Sequence, residues 1–94
     1  NGNPYIFIRL EGHTDDKMFR LPMFQQYSNN IELSIARAAE VSRLLVHYGV
    51  DTRQISLVGF GDRQPLVPND NPQNREKNRR VEIKIGDISE NKKD

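Results

Sequence analysis

The sequence of 94 residues contains no cysteine. Disulfide frameworks, thiolate zinc sites and cysteine nucleophiles are therefore excluded, whereas the redox state of the compartment is left open. No apolar run approaches the roughly 20 residues that a membrane-spanning helix needs, and no charged-then-apolar leader precedes the first predicted strand. Because the chain opens almost directly in a strand, we expect it to be part of a longer protein.

The chain also lacks a surplus of charge, because 14 Lys and Arg residues face 13 Asp and Glu residues. A net charge of +1 is too small to draw the domain non-specifically onto nucleic acid or an anionic membrane. A basic cluster lies near the end of the chain, at Arg75, Lys77, Arg79 and Arg80. An acid interrupts this cluster and no aromatic residues are interleaved with it, so we interpret it as a solvated face or a set of ion pairs, with no nucleic-acid partner.

The length suits one domain with one core, so we predict a single domain over residues 1–94 with a frayed polar tail at 86–94. Period-two alternation of apolar and polar residues predicts strands at 5–11 and 81–85. A third predicted strand covers 55–61. The apolar faces of the two alternating strands would be formed by Ile6, Ile8 and Leu10, and by Val81, Ile83 and Ile85.

A helix is predicted over residues 31–48, since capping residues precede it and no Gly or Pro occurs before Gly49. Its helical spacing predicts an inward stripe formed by Ser34, Ala38, Val41, Leu45 and Tyr48. Arg37 falls within the same inward arc. A guanidinium is seldom buried without a partner, so we expect an anion at the rim of this face. That anion is either a ligand or an intramolecular partner that only holds the helix to the strand end.

The strand, helix, strand order predicts a parallel pair joined by a right-handed crossover. The motif Gly12-His13-Thr14-Asp15 then lies at the carboxyl end of the first strand, an edge where α/β sheets often bind ligands. Residues 18–27 are apolar without a period and contain Pro22, so we predict a long loop that covers the core edge or contacts a partner.

Catalytic and metal chemistry find little support. His13 and His47 fall on different predicted elements without metal-ligand spacing, so we predict no metal site. We interpret His13 as a hydrogen-bonded residue at a strand end. No nucleophile elbow or oxyanion-hole signature is present, and the glycines around Phe60 do not form a phosphate loop. We therefore predict no catalytic residue and no cofactor.

Four separated motifs carry a resemblance to a known family. They are GHTD at 12–15, NxxLSxxRA at 30–38, GFGDxxP at 59–65 and RxxNRRVEI at 75–83. In this order they resemble the OmpA-like peptidoglycan-binding domain, over about residues 6–85. The resemblance implies an α/β two-layer sandwich of β-α-β-α-β order, with a mixed sheet and helices on one face.

The resemblance also implies a function, namely non-covalent binding of the diaminopimelate-containing stem peptide of peptidoglycan without cleavage. By the family motif, Asp15 and Arg37 are the ligand contacts, and Thr14, Asn30 and Arg79 are supporting positions. The alternative is a protein interaction module in which Asp15 and Arg37 form only a structural ion pair.

The doubled acid Asp15-Asp16, the long loop before Asn30 and the pair Asn69-Asp70 resemble the flagellar motor stator branch of the family. This branch implies a periplasmic domain of an inner-membrane protein, or alternatively an outer-membrane association, and a homodimer is a further expectation. The family's first strand and helix are missing ahead of residue 5. Without them we expect a sheet edge and an apolar face to be uncovered.

Overall fold

The computed structural model of the chain describes residues 6–17 and 29–87. Its elements are β1 (Ile6–His13), α1 (Asn30–His47), a 3-10 turn (Thr52–Gln54), β2 (Ile55–Gly61), α2 (Pro72–Asn78) and β3 (Arg80–Asp87). The predicted loop at 18–27 and the tail at 88–94 lie outside the described residues. The two-layer α/β class with a mixed sheet is confirmed.

β1 is the central strand of a three-stranded sheet with the order β2-β1-β3. It runs parallel to β2 and antiparallel to β3, which confirms the predicted parallel pair. Phe7 and Ile6 pair with Gly86 and Asp87, so β3 extends two residues into the segment predicted to fray. That part of the tail prediction is wrong, because the central strand offers backbone partners up to Asp87.

Helix α1 begins and ends close to its predicted limits. The side chain of Asn29 caps its first turn by accepting a hydrogen bond from the backbone nitrogen of Glu32 (2.9 Å), and Gly49 follows with a φ of 106°. Ser34 and Ala38 are buried as predicted, but Tyr48 is 78% exposed. The predicted stripe is wrong at Tyr48 because this residue is the C-cap of α1, where the backbone (φ -92°, ψ 12°) leaves the helical conformation and the helical spacing no longer sets the side-chain direction.

Glycines bring the first turns of α1 against the strand backbones. A Cβ atom on Gly12 would lie 2.0 Å from the carbonyl oxygen of Ser34, and one on Gly59 would lie 2.9 Å from that of Ile31. Ser34 Oγ fills the remaining space, accepting a hydrogen bond from Gly61 N (3.1 Å) and donating one to Ile31 O (2.7 Å). The helix is therefore held at a fixed distance from the ends of β1 and β2.

The sheet face under α1 is covered unevenly, since α1 packs mainly on β2 and β1. Val81 pairs with Gly12, which faces Ser34, so the alternate residues of β3 share this face. Ile83 is 50% exposed and Ile85 is 67% exposed. The apolar face of β3 is thus predicted correctly, and within the described residues its Ile83 and Ile85 end is left exposed. Within residues 6–17 and 29–87, neither helix has the length and apolar character that crossing a bilayer requires.

Candidate functional site

A cavity of about 200 Å³ opens at the carboxyl end of β1, and we call it the Asp15 cavity. All five predicted site residues line it. Its walls are formed by Thr14, Asp15, Lys17, Asn30, Leu33, Arg37 and Arg79. The structure therefore brings together residues from the loop after β1, from α1 and from the junction between α2 and β3. Lys17 and Leu33 were missed by the sequence prediction, although Leu33 belongs to the NxxLSxxRA motif and so could have been named.

The loop after β1 fixes the position of Asp15 through its own hydrogen bonds. Thr14 N donates to Gly61 O (2.9 Å), which ties the loop to the end of β2. Thr14 Oγ1 donates to Asp15 O (2.8 Å), and Lys17 N donates to Asp15 Oδ1 (2.9 Å). Asn30 Nδ2 donates to Lys17 O (3.2 Å), which joins the loop to the first turn of α1. Thr14 and Asn30 thus position the loop that carries the acid.

The ion-pair partner of Asp15 is Arg79 rather than Arg37. Arg79 Nη1 lies 2.5 Å from Asp15 Oδ2, and the Asp15 side chain is only 12% exposed. Arg37 lines the same cavity but forms no ion pair with another residue that the structure describes. The expected structural ion pair between Asp15 and Arg37 is therefore wrong. The carboxylate of Asp15 pairs instead with Arg79, the residue that follows α2.

Arg79 is placed by its neighbour Asn78, which is fully buried at the end of α2. Asn78 Oδ1 accepts hydrogen bonds from Leu66 N (2.8 Å) and Val67 N (3.1 Å). Its Nδ2 donates to Val67 O (2.9 Å) and to Asn69 Oδ1 (2.7 Å). One carboxamide therefore secures the loop before α2 and, through the chain, the start of β3. Its structural role was not predicted, because the partners of a buried amide cannot be inferred from spacing.

The basic cluster forms ion pairs, as predicted. Arg75 Nε lies 3.4 Å from Asp16 Oδ1, and Arg80 Nε lies 2.6 Å from Glu82 Oε2, in addition to the pair made by Arg79. These three guanidinium groups are therefore engaged within the domain. This arrangement supports the interpretation of the cluster as intramolecular rather than as a nucleic-acid surface.

The charges of the Asp15 cavity are unequal. The lining residues include one acid, Asp15, and three basic residues, Lys17, Arg37 and Arg79. A second depression of about 380 Å³ shares Arg37 and Arg79 and continues over Val41 and Val81. The two guanidinium groups thus stand between two hollows. The site can accept an ammonium group at the acid and carboxylate groups at the guanidiniums.

His13 lies beside the site but on the opposite face of the sheet. Its ring stacks on Phe60 with centroids 5.1 Å apart, and the residue is only 2% exposed. Burial lowers the pKa of its imidazole, and the cation of Arg80 lowers it further. Neither ring nitrogen has a hydrogen-bond partner among the described residues. The prediction that His13 is hydrogen-bonded is therefore wrong as far as residues 6–17 and 29–87 are concerned.

Fold and site define the class of the protein. A model of the OmpA family matches residues 1–79, and the chain belongs to this family. Motility protein B of Helicobacter pylori (strain J99) is 38% identical over 78 residues, which are 83% of this chain and 29% of that protein. The resemblance to the stator branch of the family is thereby confirmed.

Two further comparisons agree with membership of the OmpA family. The periplasmic domain of Helicobacter pylori MotB has a TM-score of 0.77 at 35% identity, covering 90% of this chain and 51% of the solved one. The peptidoglycan-associated lipoprotein of Pseudomonas aeruginosa is 40% identical over 77 residues, 82% of this chain and 42% of that protein. The chain spans less than half the length of either sequence relative. Neither is named as an enzyme, in agreement with the prediction of a non-catalytic module.

Proposed function

We propose that this domain binds peptidoglycan non-covalently through the Asp15 cavity and so anchors a larger membrane protein, such as a flagellar motor stator, to the cell wall. The observation that carries the proposal is a single, nearly buried carboxylate beside two guanidinium groups in one small cavity. Membership of the OmpA family supports it, as does the relative that is named for its association with peptidoglycan.

The ligand group that we propose is the free end of diaminopimelate in the stem peptide. This end carries an ammonium and a carboxylate on one carbon. Asp15 supplies an acceptor for the ammonium, and Arg37 supplies a planar donor for the carboxylate. Arg79 holds the Asp15 carboxylate in place, so the acid is ordered before the ligand arrives.

The cationic surplus of the cavity supports a ligand with more than one carboxylate. Three cations against one acid leave an excess of two positive charges at the walls of the Asp15 cavity. A stem peptide carries carboxylates besides the one on the recognised carbon, and these can lie against Lys17 or Arg79. The second depression, which shares the two guanidinium groups, offers room for the rest of the peptide.

We further propose that the domain is periplasmic, in a protein of the inner membrane, and that the intact protein is a homodimer. The solved MotB domain with the same fold is periplasmic, which supports the compartment. Peptidoglycan lies in that compartment, so compartment and ligand are consistent with each other.

The first test exchanges Asp15 for Asn, which keeps the shape of the side chain and removes its charge. A hydrogen bond to a charged group contributes about 1.5–3 kcal/mol, so binding to purified sacculi should weaken by about ten- to a hundredfold. Asp62→Asn is the matched control, because Asp62 is exposed after β2 and does not line the cavity. Equal retention of both variants by sacculi would remove Asp15 from the site.

The second test separates binding from stability at Arg37. Arg37→Lys keeps the positive charge but loses the bidentate fork, so we expect a folded protein that sacculi retain poorly. Arg43→Lys is the control on the same helix, where Arg43 is exposed and pairs only weakly with Glu40 (3.2 Å). A folded Arg37→Lys protein that binds like the wild type would contradict the proposed role of Arg37. Release of muropeptides from the sacculi would indicate that the domain is an enzyme and not a binding module.

A further inference from the structure

The sheet face opposite α1 carries a cluster of three possible metal ligands near the carboxyl end of β1. Glu11 and His13 lie two residues apart on β1, and Glu82 lies directly opposite Glu11 on β3. One ligand atom from each residue lies within 4.8 Å of the other two. Glu11 is 6% exposed and His13 is 2% exposed, so two members of the cluster are buried.

Glu11 and Glu82 occupy directly opposite positions on neighbouring strands, and cations pair with both carboxylates. The histidine of the cluster is not satisfied in the same way. His13 has two buried ring nitrogens, neither of which has a hydrogen-bond partner among the described residues. A buried polar group left unsatisfied in this way indicates that a further group, such as an ion, belongs beside it.

We propose that Glu11, His13 and Glu82 bind a divalent transition metal ion of the zinc type and thereby join β1 to β3. An imidazole nitrogen and two carboxylate oxygens are a ligand set that zinc accepts, with water in the fourth position. A divalent cation gives one nitrogen of His13 a partner and joins the two carboxylates at one centre. The Glu82 side chain is 30% exposed, so an ion can enter from its side.

Three cations surround the carboxylates and modulate the proposed site. Arg9 Nε lies 2.9 Å from Glu11 Oε2, and Glu82 receives Arg80 Nε at 2.6 Å and Lys84 Nζ at 3.2 Å. These contacts orient the two carboxylates, and each oxygen retains a further lone pair for a metal. They also place positive charge near the ion, so we expect weaker binding than in a site without them. The ion pairs alone neutralise the carboxylates but give the ring nitrogens of His13 no partner within residues 6–17 and 29–87.

The test is calorimetric titration of the 94-residue chain with ZnCl₂, together with the visible absorption of the CoCl₂ form. We expect one ion per chain and a d–d spectrum that indicates nitrogen and oxygen ligands. His13→Gln and Glu82→Gln should each weaken binding by more than about tenfold, because each removes a ligand. His47→Gln and Glu76→Gln are the matched controls, since both residues are exposed on the helices.

The outcomes are separable. Absence of stoichiometric binding by the wild type, or binding that is lost in His47→Gln and kept in Glu82→Gln, overturns the proposal. Should His13→Gln fail to fold, Glu82→Gln decides the matter because Glu82 is only partly buried. Retention by sacculi is measured in parallel without added metal. The Asp15 cavity involves other residues, so a failure of the metal site leaves the proposed function unaffected, and the reverse also holds.

Discussion

Gly12→Ala should be costly, because Gly12 is the point where α1 meets the central strand. The new Cβ atom would lie 2.0 Å from Ser34 O and 2.7 Å from the Ser34 carbonyl carbon, whereas real Cβ contacts do not fall below 3.0 Å. Both atoms belong to the helix backbone, so the helix itself has to move by about 1 Å or more. Overpacking costs about 1–3 kcal/mol, and a backbone contact places this variant near 3 kcal/mol.

For a domain of this size, a loss of about 3 kcal/mol corresponds to a fall in Tm of about 12–24 °C. Differential scanning calorimetry measures this fall. The displacement of α1 should also move Arg37 away from Asp15, so the folded fraction should bind sacculi less well. Both effects have the same cause, which is the separation of helix and strand.

Gly86→Ala is the matched control for this experiment. Its Cβ atom would lie 2.2 Å from Phe7 Cζ, at the tip of a side chain that can rotate, and at the opposite end of β1. We expect a smaller loss of Tm and unchanged binding to sacculi. A Gly12→Ala protein that melts within a few degrees of the wild type and binds sacculi normally would refute the argument that this contact positions the helix.

Two further predictions concern the rest of the domain. Asn78→Ala removes four hydrogen bonds and leaves partly buried backbone groups of Leu66 and Val67 unsatisfied. Urea unfolding should therefore show a loss of about 3 kcal/mol or more, and a loss under about 1 kcal/mol would contradict this role. Hydrogen bonds from Arg53 lower the pKa of Asp51 from 3.8 to about 2. The ionised Asp51 carboxylate therefore stabilises the folded state above pH 3.8, and this stabilisation is lost as the pH falls through 2. Arg53→Gln should return the pKa of Asp51, measured by NMR, towards 3.8. An unchanged pKa in this variant would disprove the role of Arg53.

The elements of this fold are well predicted from the sequence because periodicity and caps dominate them. β2 covers the predicted residues 55–61, and α1 begins within one residue of its predicted start. Side-chain burial at the ends of elements is predicted less well. Tyr48 fits the helical stripe, but it is the C-cap residue after the last helical position, and its side chain is exposed.

Most of the residues that line the Asp15 cavity are also predicted from sequence motifs, but their pairing is not. Strand, helix and crossover place Asp15 near Arg37, as expected. That Arg79 takes the acid depends on α2 and the loop secured by Asn78, which local spacing does not reveal. For the same reason the juxtaposition of Glu11 and Glu82 was not predicted, because antiparallel register joins residues that are far apart in the chain.

The central position of β1 has a mechanical consequence if the domain is an anchor. Tension on a ligand held at Asp15 enters the fold at the end of β1, whose backbone is hydrogen-bonded to β2 on one side and to β3 on the other. Force along the strand axis then loads both ladders in shear, so many hydrogen bonds resist together instead of opening one after another. An attachment at Asp15 would therefore pull on the one strand of this sheet that is paired along both edges.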